Sequence, residues 1–341
     1  MSEDKKFKFD VVIGNPPFSE EVEGTSDKQI FQFFMDETYK IGEKVELITP
    51  AKWLSNAGNT SEKWNKKMLK DEHLKVLFFE QNSNKVFSNT SIKGGVCVTY
   101  RDANEELGPI GTFTPFAALQ SIIHKVVFNK EKPFESISRI IYLQNKFNLD
   151  ILYTDHPGLK NKIGSSGKEK RLTTSIFSLP IFVEERTEDC KIKIWGIINK
   201  NSRTYRFMNE KYLDTNSTLH SYKVLVPKSN GSGALGEVLS TPLIGYTQSF
   251  IGIGKFDKKT DAENAMKYIK SKFSRVMLGT LKVTQDNNKA TWKNVPLQDF
   301  TSNSDIDWTK SIPEIDQQLY RKYNLSQAEI DFIESHVKEM N

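Results

Sequence analysis

The chain has 341 residues, of which 37% are hydrophobic and 27% charged, and 48 basic against 43 acidic residues leave a net charge of +5. The length allows two domains, the separated Cys97 and Cys190 argue against a disulfide framework or a thiolate metal site, and no apolar run approaches the roughly 20 residues of a membrane span. We therefore expect a soluble cytoplasmic protein without a membrane partner, whose small basic excess favours a polyanionic partner without requiring one.

The first predicted element is a short buried strand that ends at an unusual tetrad. The apolar run Val11-Val12-Ile13 leads through Gly14 into Asn15-Pro16-Pro17-Phe18. Two consecutive prolines cannot continue a central strand, so the strand must stop there. The carboxyl end of a strand is where α/β sheets bind their ligands. The tetrad is thus a candidate site, although a purely structural strand stop would give the same pattern.

The following elements alternate between helix and strand. A helix is predicted from Lys28 to Tyr39, ending near Gly42, and a strand over 45–50. A long polar helix to about Lys70 and strands over 74–80 and 95–100 come next. This order predicts a parallel α/β sheet with a hairpin at its edge.

The strand before the tetrad is expected to lack a neighbour. Val11-Val12-Ile13 is apolar on both faces, as in a central parallel strand with a partner on each side. The strand over 45–50 supplies one partner, and an unpaired second edge would leave backbone amides and carbonyls exposed. A preceding strand–helix–strand unit is therefore expected to be missing from this polypeptide.

The tetrad resembles the catalytic motif of the amino-group DNA methyltransferases, specifically those that modify adenine. Several later segments resemble that family or its Eco57I-like restriction-modification branch: 28–39, 47–54, 86–87, 92–96, 292–300 and 305–320. The resemblance implies a partial Rossmann-like methyltransferase sheet and S-adenosylmethionine as methyl donor. In the family a glycine-rich cofactor loop precedes the tetrad by many dozens of residues, whereas this chain begins fourteen residues before it. The cofactor is thus expected to be bound mainly by a missing N-terminal half or a partner subunit.

The resemblance also assigns roles to the tetrad, Asn15, Pro16, Pro17 and Phe18. The adenine amino group is a poor nucleophile because its lone pair is delocalised into the ring. The Asn15 side-chain oxygen and the Pro16 carbonyl would accept its two hydrogens and localise that lone pair. The base must first be flipped out of the duplex, and Phe18 would stack on one face and Phe87 on the other. Without the resemblance, Phe87 is equally well explained as a core aromatic.

The chain is predicted to contain three parts. Residues 1–105 form the catalytic part, 106–305 a mixed α+β target-recognition domain, and 306–341 a helical tail. A polar, breaker-rich stretch over 101–109 marks the first boundary. Apolar residues at helical spacing predict one helix over 261–278, and Ser326 with Glu329 forms a capping box in the tail.

Basic residues grouped with glycine and hydroxyl residues are the candidate contacts to duplex DNA. Such groups suit phosphate oxygens, and an arginine among them can read a base edge. For each group taken alone, a solvated surface is the alternative. The candidates are Lys93, Lys168, Lys170, Arg171, Arg203, Arg206, Lys223, Lys228, Lys272, Arg275 and Lys282.

Two other patterns carry no predicted chemistry. The five histidines are scattered without a pair at helical spacing, so no metal site is predicted. The glycine-rich stretch over 231–236 lacks a following Lys-Ser or Lys-Thr, which favours a flexible loop over a phosphate-binding loop.

Two functions follow from the sequence. The leading hypothesis is a fragment or subunit of a site-specific DNA methyltransferase, which methylates the N6 amino group of adenine in duplex DNA within a restriction-modification system. The alternative is a catalytically inactive DNA-recognition module that lacks the cofactor-binding half.

Overall fold

The computed structural model describes residues 7–20, 28–55, 59–88, 91–131, 133–163, 169–198, 202–215, 218–229, 238–282 and 286–340. The glycine-rich stretch over 231–236 and Lys168 lie outside these ranges. The chain divides into two compact units, residues 1–130 and 131–341. Residues 106–130 therefore lie in the first unit, although the sequence assigned them to the second domain. The predicted tail over 306–341 lies within the second unit.

The first unit contains three helices and six strands among its described residues. Its strands are β1 (Phe9–Gly14), β2 (Ser19–Glu20), β3 (Lys28–Gln29), β4 (Gly42–Pro50), β5 (Leu74–Glu80) and β6 (Val96–Asp102). Its helices are α1 (Phe31–Ile41), α2 (Glu62–Leu69) and α3 (Ala117–Val127).

The main sheet of this unit has the order β1-β4-β6-β5. Strands β1 and β4 run parallel and are joined by α1, with Val12 paired to Val45. Strand β6 lies between β4 and β5 and is antiparallel to both. The sheet is therefore mixed: the predicted hairpin is β5–β6, but its second strand is inserted beside β4. Insertion of β6 makes β5 the edge strand.

Strand β1 forms the other edge of this sheet, and β4 is its one partner within the described residues. Its side chains alternate between two faces. Val12 packs against the core that includes Phe31 and Met35 of α1. On the opposite face Phe9, Val11 and Ile13 are 44%, 55% and 75% exposed. The apolar run is thus buried on one face only, and the other face of the strand is apolar and exposed.

Polar contacts fix the start of the second helix and tie the segment that contains the third helix to the rest of the unit. The predicted long helix to Lys70 is instead the eight-residue α2, because Ser61 caps it by accepting a hydrogen bond from the Trp64 amide at 3.2 Å. Residues 106–130 are tied to the rest of the unit: the Gly111 amide donates to the Leu69 carbonyl at 2.8 Å. An ion pair between Lys130 and Glu106 closes this segment.

The second unit contains two small sheets and five helices among its described residues. Its strands are β7 (Ile141–Tyr142), β8 (Ile192–Ile198), β9 (Ser202–Met208), β10 (Tyr222–Pro227), β11 (Val238–Ser240), β12 (Ile244–Tyr246) and β13 (Phe250–Phe256). Its helices are α4 (Leu149–Asp155), α5 (Lys259–Lys270), α6 (Lys272–Gly279), α7 (Ile312–Lys322) and α8 (Gln327–His336). The sheet orders are β11-β10-β13-β7 and β12-β8-β9.

The helix predicted over 261–278 is two helices. Ser271 has an extended backbone (φ −57°, ψ 147°), which ends α5. Its hydroxyl accepts the Ser274 amide at 3.1 Å and caps the start of α6. Apolar residues on both sides of the break are buried, so periodicity alone cannot reveal it. The prediction of one continuous helix was wrong for this reason.

The tail packs on α6. The Asp316 carboxylate of α7 accepts the backbone amides of Lys272 and Phe273, at 3.0 and 2.9 Å. Lys272 also pairs with Glu334 of α8. The predicted capping box of Ser326 and Glu329 is confirmed at the start of α8. The tail is therefore an integral part of the second unit.

Burial of Asp316 makes the stability of this unit depend on pH. Desolvation raises the pKa of this carboxyl to about 6, with Glu334 adding to the rise and the two backbone amides and Lys272 opposing it. An unfolded aspartate has a pKa near ~3.9. Protonated Asp316 therefore favours the folded state: this contribution is fully present below pH ~4 and is lost as the pH rises through about 6.

We predict that Asp316→Asn removes this pH dependence. The wild-type free energy of unfolding should lose about 2 kcal/mol between pH 4 and 7 relative to the variant, since each pKa unit is worth about 1.4 kcal/mol and an unfolded aspartate is already half ionised at pH 4. Urea unfolding of both proteins across this range measures the difference. Parallel pH profiles would contradict the prediction.

Candidate functional site

The tetrad lies where two parallel strands end. Strands β1 and β4 point the same way, so Asn15 after β1 and Lys52 after β4 meet at one edge of the sheet. A cavity of about 910 Å³ opens there. It is lined by both strand ends, by the start of α1 and by the loop before β6: Asn15, Pro16, Pro17, Phe18, Ser19, Gln29, Phe31, Pro50, Lys52, Trp53, Asn59, Thr60, Phe87, Ser91, Ile92 and Lys93.

The four tetrad residues differ in exposure. Pro16 is buried, Phe18 is half-buried, and Asn15 and Pro17 are exposed. Within the described residues, no hydrogen-bond partner engages the Asn15 side chain. The Phe18 carbonyl accepts the Ile30 amide at 3.1 Å, and β2 pairs with β3 just beyond it. The tetrad is thus held on both sides while the Asn15 amide faces the opening.

The floor of the cavity is rigid and aromatic. Trp53 is 1% exposed and meets the Trp64 ring edge-on, with centroids 5.5 Å apart. Trp64 in turn contacts Phe31 at 5.9 Å and donates its indole N–H to Asp36 at 3.0 Å. This cluster connects the end of β4 with α1 and α2.

The two aromatic residues predicted to stack on the base lie together in the cavity. The centroids of Phe18 and Phe87 are 6.1 Å apart, and their planes make an angle of 73°. A base held between two rings needs parallel faces separated by about 7 Å, twice the ordinary contact distance. In this conformation the two rings must turn relative to each other and move apart before both can stack on one base.

Two glycines bring the loop before β6 against the cavity. Gly94 and Gly95 have φ of +95° and +80°. A Cβ on Gly95 would lie 2.3 Å from the Glu80 carbonyl oxygen. The Gly95 carbonyl also accepts the Ala51 amide at 3.0 Å. The loop that carries Phe87 and Lys93 is therefore fixed to the ends of both β4 and β5.

The charge of the cavity suits a nucleic acid better than the expected cofactor. Lys52 and Lys93 line it, and its described lining residues include no carboxylate. S-adenosylmethionine carries a sulfonium and an ammonium group against one carboxylate, a net positive charge that favours acidic residues, whereas a nucleotide carries phosphate. These lining residues fit a base with its phosphate, and they do not fit the cationic groups of the cofactor.

Neither a metal site nor a membrane-spanning helix is found within the described ranges. No group of three His, Cys, Asp or Glu side chains there is arranged to hold a metal ion. No helix in those ranges is long and apolar enough to cross a bilayer.

Lys223 is not a DNA contact in this fold, contrary to the sequence prediction. It is 0% exposed within β10, and its ammonium donates to the carbonyls of Thr218 and Ser221, at 2.8 and 3.0 Å. Burial lowers the pKa of this lysine to about 8. Its apolar neighbours in the strand, Val224 and Leu225, were the signal in the sequence that the residue is internal.

Other predicted DNA contacts fall into two groups. Some are engaged within the chain: Arg206 pairs with Glu184 at 2.6 Å, Lys272 pairs with Glu334, and Arg275 donates to the Lys338 carbonyl. The remaining described candidates are exposed or half-buried: Lys93, Lys170, Arg171, Arg203, Lys228 and Lys282. Only Lys93 of these lies in the cavity.

The sequence analysis missed some residues that the fold brings together. Lys52 and Thr60 line the cavity, although they follow a different strand from the tetrad. Lys193 and Trp195 share a strand face with Tyr205. In the sequence these residues are two positions apart within each strand, which places them on one face of that strand. That the two strands share this face is known only once their register is known.

Comparisons with known proteins cover part of the chain. Residues 2–87 match the model of the Eco57I restriction-modification methylase family. An uncharacterized adenine-specific methylase of Mycoplasma pneumoniae is 35% identical over 95 residues, which are 26% of this chain and 22% of that protein. The chain thus spans about a fifth of this curated relative. Its first quarter is similar to a restriction-modification methylase, and the match includes the tetrad and Phe87.

Two solved structures are more distant. The type IIG restriction endonuclease BpuSI aligns with a TM-score of 0.31 and 11% identity, over 92% of this chain and 49% of the enzyme. The type IIL restriction-modification enzyme MmeI, solved in complex with DNA, aligns with a TM-score of 0.34 and 10% identity, over 95% and 56%. The chain spans about half of each enzyme.

We predict that Gly95→Ala destabilises the first unit. The added Cβ meets a backbone carbonyl and the residue must keep a positive φ, so the free energy of unfolding should fall by about 1–3 kcal/mol. Urea unfolding of the full chain gives the value. Gly158→Ala is the control, because no atom lies within 4 Å of the added group; it should change the free energy by less than about 0.5 kcal/mol. Equal effects of the two changes would contradict the account of the loop.

Proposed function

We propose that the chain provides the catalytic and DNA-recognition parts of an adenine-specific DNA methyltransferase of the restriction-modification type. The reaction is methyl transfer to the N6 amino group of an adenine in duplex DNA. The observation that carries this proposal is the cavity at the ends of β1 and β4, where the Asn15 amide and the Pro16 carbonyl lie beside Phe18 and two lysines.

The chemistry of the tetrad is activation by hydrogen bonding. The Asn15 side-chain oxygen and the Pro16 carbonyl oxygen accept the two amino hydrogens of the base, which draws the nitrogen lone pair out of conjugation. Pro17 follows Pro16, so the amide beside this carbonyl carries no N–H that could donate in competition. Both acceptors are positioned before the base arrives, so activation needs no strong base.

The cavity suits a base that has left the duplex. Its volume of about 910 Å³ lies within the range of about 300–1,000 Å³ found for small-molecule sites. Phe18 offers a face for stacking, and Phe87 would supply the second face after it moves away from Phe18 and turns parallel to it. Lys52 and Lys93 line the cavity, and their positive charges support contacts to the phosphates beside the flipped nucleotide.

The methyl donor is S-adenosylmethionine, and we assign its binding to a second, cofactor-binding unit. The described lining residues of the cavity do not suit its cationic groups. Among the described residues β4 is the one strand paired with β1, and Val11 and Ile13 on one face of β1 are 55% and 75% exposed, which supports a strand of that unit adding beside β1 and covering this face. Such pairing would extend the sheet and deliver the donor to the carboxyl end of β1.

The second unit is proposed to bind the duplex around the target. Lys170, Arg171 and Arg203 are exposed there, so their charges can reach phosphates. The lining of the cavity also favours an alternative, a DNA-recognition module without catalytic activity, because the cofactor has no evident site in it. The two functions differ in whether addition of a cofactor-binding unit produces methylated DNA.

We predict that Asn15→Ala abolishes methylation and leaves DNA affinity nearly unchanged. The variant loses one of two acceptors in the transition state, and removal of one such group costs about 10²–10³ in kcat in other enzymes. The assay uses the chain with its cofactor-binding unit, tritiated S-adenosylmethionine and duplex DNA, with mass spectrometry to identify N6-methyladenine.

Asn303→Ala is the matched control, because Asn303 is an exposed loop residue in the second unit. It should methylate at the wild-type rate. Undiminished methylation by Asn15→Ala would refute the catalytic role. Absence of methylation by the wild-type chain with every cofactor-binding unit tested would favour the inactive recognition module.

We predict that Ile13→Glu prevents assembly with the cofactor-binding unit. The Ile13 side chain is 75% exposed, so the free chain tolerates a charge there. The charge disfavours assembly, because a unit that pairs with β1 would cover this apolar side chain. Co-purification and methyl transfer should both be lost, while DNA binding remains. Leu143→Glu is the control, because Leu143 is an exposed apolar residue of the second unit. Unchanged co-purification of the Ile13 variant would contradict the proposed edge pairing.

A further inference from the structure

Strands β8 and β9 form an antiparallel pair, which we call the ribbon, at one edge of the three-stranded sheet β12-β8-β9, and the two faces of this pair differ in character. Their antiparallel register pairs Lys193 with Phe207, Trp195 with Tyr205 and Ile197 with Arg203. Paired residues of neighbouring strands share a face. The intervening residues Ile192, Ile194 and Met208 point the other way, into the core of the second unit.

The other face carries an aromatic ladder with a cation on it; Trp195 in this ladder is half-buried and packs against Tyr246 and Phe250, whereas Tyr205 is exposed. Tyr205 is 39% exposed and contacts Trp195 and Phe207 edge-on, with centroid distances of 5.6 Å in both cases. The Lys193 ammonium lies 4.4 Å from the Tyr205 centroid and 5.9 Å from that of Phe207. We call Lys193, Trp195, Arg203, Tyr205 and Phe207 the aromatic face of the ribbon.

The position of Lys193 decides what this face can bind. Its ammonium already lies over the Tyr205 ring, so this ring is not a free platform for stacking a base. The rings instead hold a positive charge at a defined place on the surface, by cation–π attraction. Together with the exposed Arg203, and with no acidic residue among the paired positions of this face, the arrangement suits a polyanion.

A strained segment lies beside Lys193. Leu243, just before β12, has a φ of +65°, which is uncommon for a residue with a side chain, and it is 41% exposed. Its carbonyl accepts the Lys193 amide at 3.3 Å. The backbone of Lys193 is therefore fixed from the β12 side, while the aromatic rings fix its side chain.

We propose that the aromatic face of the β8–β9 ribbon contacts duplex DNA, with Lys193 bound to a phosphate. This deepens the proposed function and rests on it, because it assumes that the second unit binds duplex DNA. Tyr205 and Phe207 are positioning residues that hold the Lys193 ammonium. Without these rings the Lys193 side chain would be mobile. Holding its ammonium in place before DNA binds reduces the conformational entropy that is lost on binding.

The test measures binding of the full chain to a labelled duplex of mixed sequence, by fluorescence anisotropy at several salt concentrations and without cofactor. One lost phosphate contact lowers the slope of log K against log salt concentration by about 0.9. We expect this change for Lys193→Gln, together with weaker binding at every salt concentration. Tyr205→Leu should also weaken binding, and Tyr205→Phe should restore it, because phenylalanine keeps the ring.

Lys211→Gln is the matched control. Lys211 also lies over an aromatic ring, 5.0 Å from the Tyr212 centroid, but its charge is paired with Asp155 at 2.7 Å. This variant should bind as the wild type does. Equal slopes for Lys193→Gln and the wild type, or an effect of Lys193→Gln confined to single-stranded DNA, would overturn the proposal. Failure of the wild-type chain to bind any duplex would instead refute the proposed function.

Discussion

The parallel pairing of β1 with β4 is the constraint on which the site depends. Because the two strands run the same way, the chain that leaves each of them emerges at the same edge of the sheet. Pro16 and Pro17 end the first strand, and Pro50 ends the second. Helix α1 joins the strands and buries Phe31 and Met35 beneath them, so their relative position is fixed by apolar packing. The acceptors of the tetrad and Lys52 are brought together by this pairing alone.

The same strand links catalysis to assembly. One side of β1 carries the residues that anchor it to the core, and the other side and edge are apolar and exposed. An enzyme that must bring a cationic cofactor and a polyanionic substrate to one point benefits from separate surfaces for the two. The lysine-lined cavity suits the substrate, and the open edge suits a unit that binds the cofactor. In the proposed function, DNA affinity comes largely from the exposed basic residues of the second unit.

Local features of the sequence predicted local features of the structure. The end of β1 at the tetrad and the capping box at Ser326 each depend on a few adjacent residues, and both are found. Features that depend on distant pairing were missed, such as the insertion of β6 between β4 and β5. The break at Ser271 was hidden because both helices bury apolar residues at continuous spacing. Lys223 and Lys193 show that a lysine's role depends on strand register: the first is buried, and the second is held on an aromatic surface.

A structure of the chain bound to duplex DNA and its cofactor-binding unit would test the central claim most directly. The claim is that the Asn15 and Pro16 oxygens hold the amino group of a flipped adenine. We predict an adenine outside the duplex and against Phe18, with its amino nitrogen about 3 Å from both oxygens. A duplex in which every base remains stacked, or a flipped base whose amino group points away from Asn15, would contradict the account.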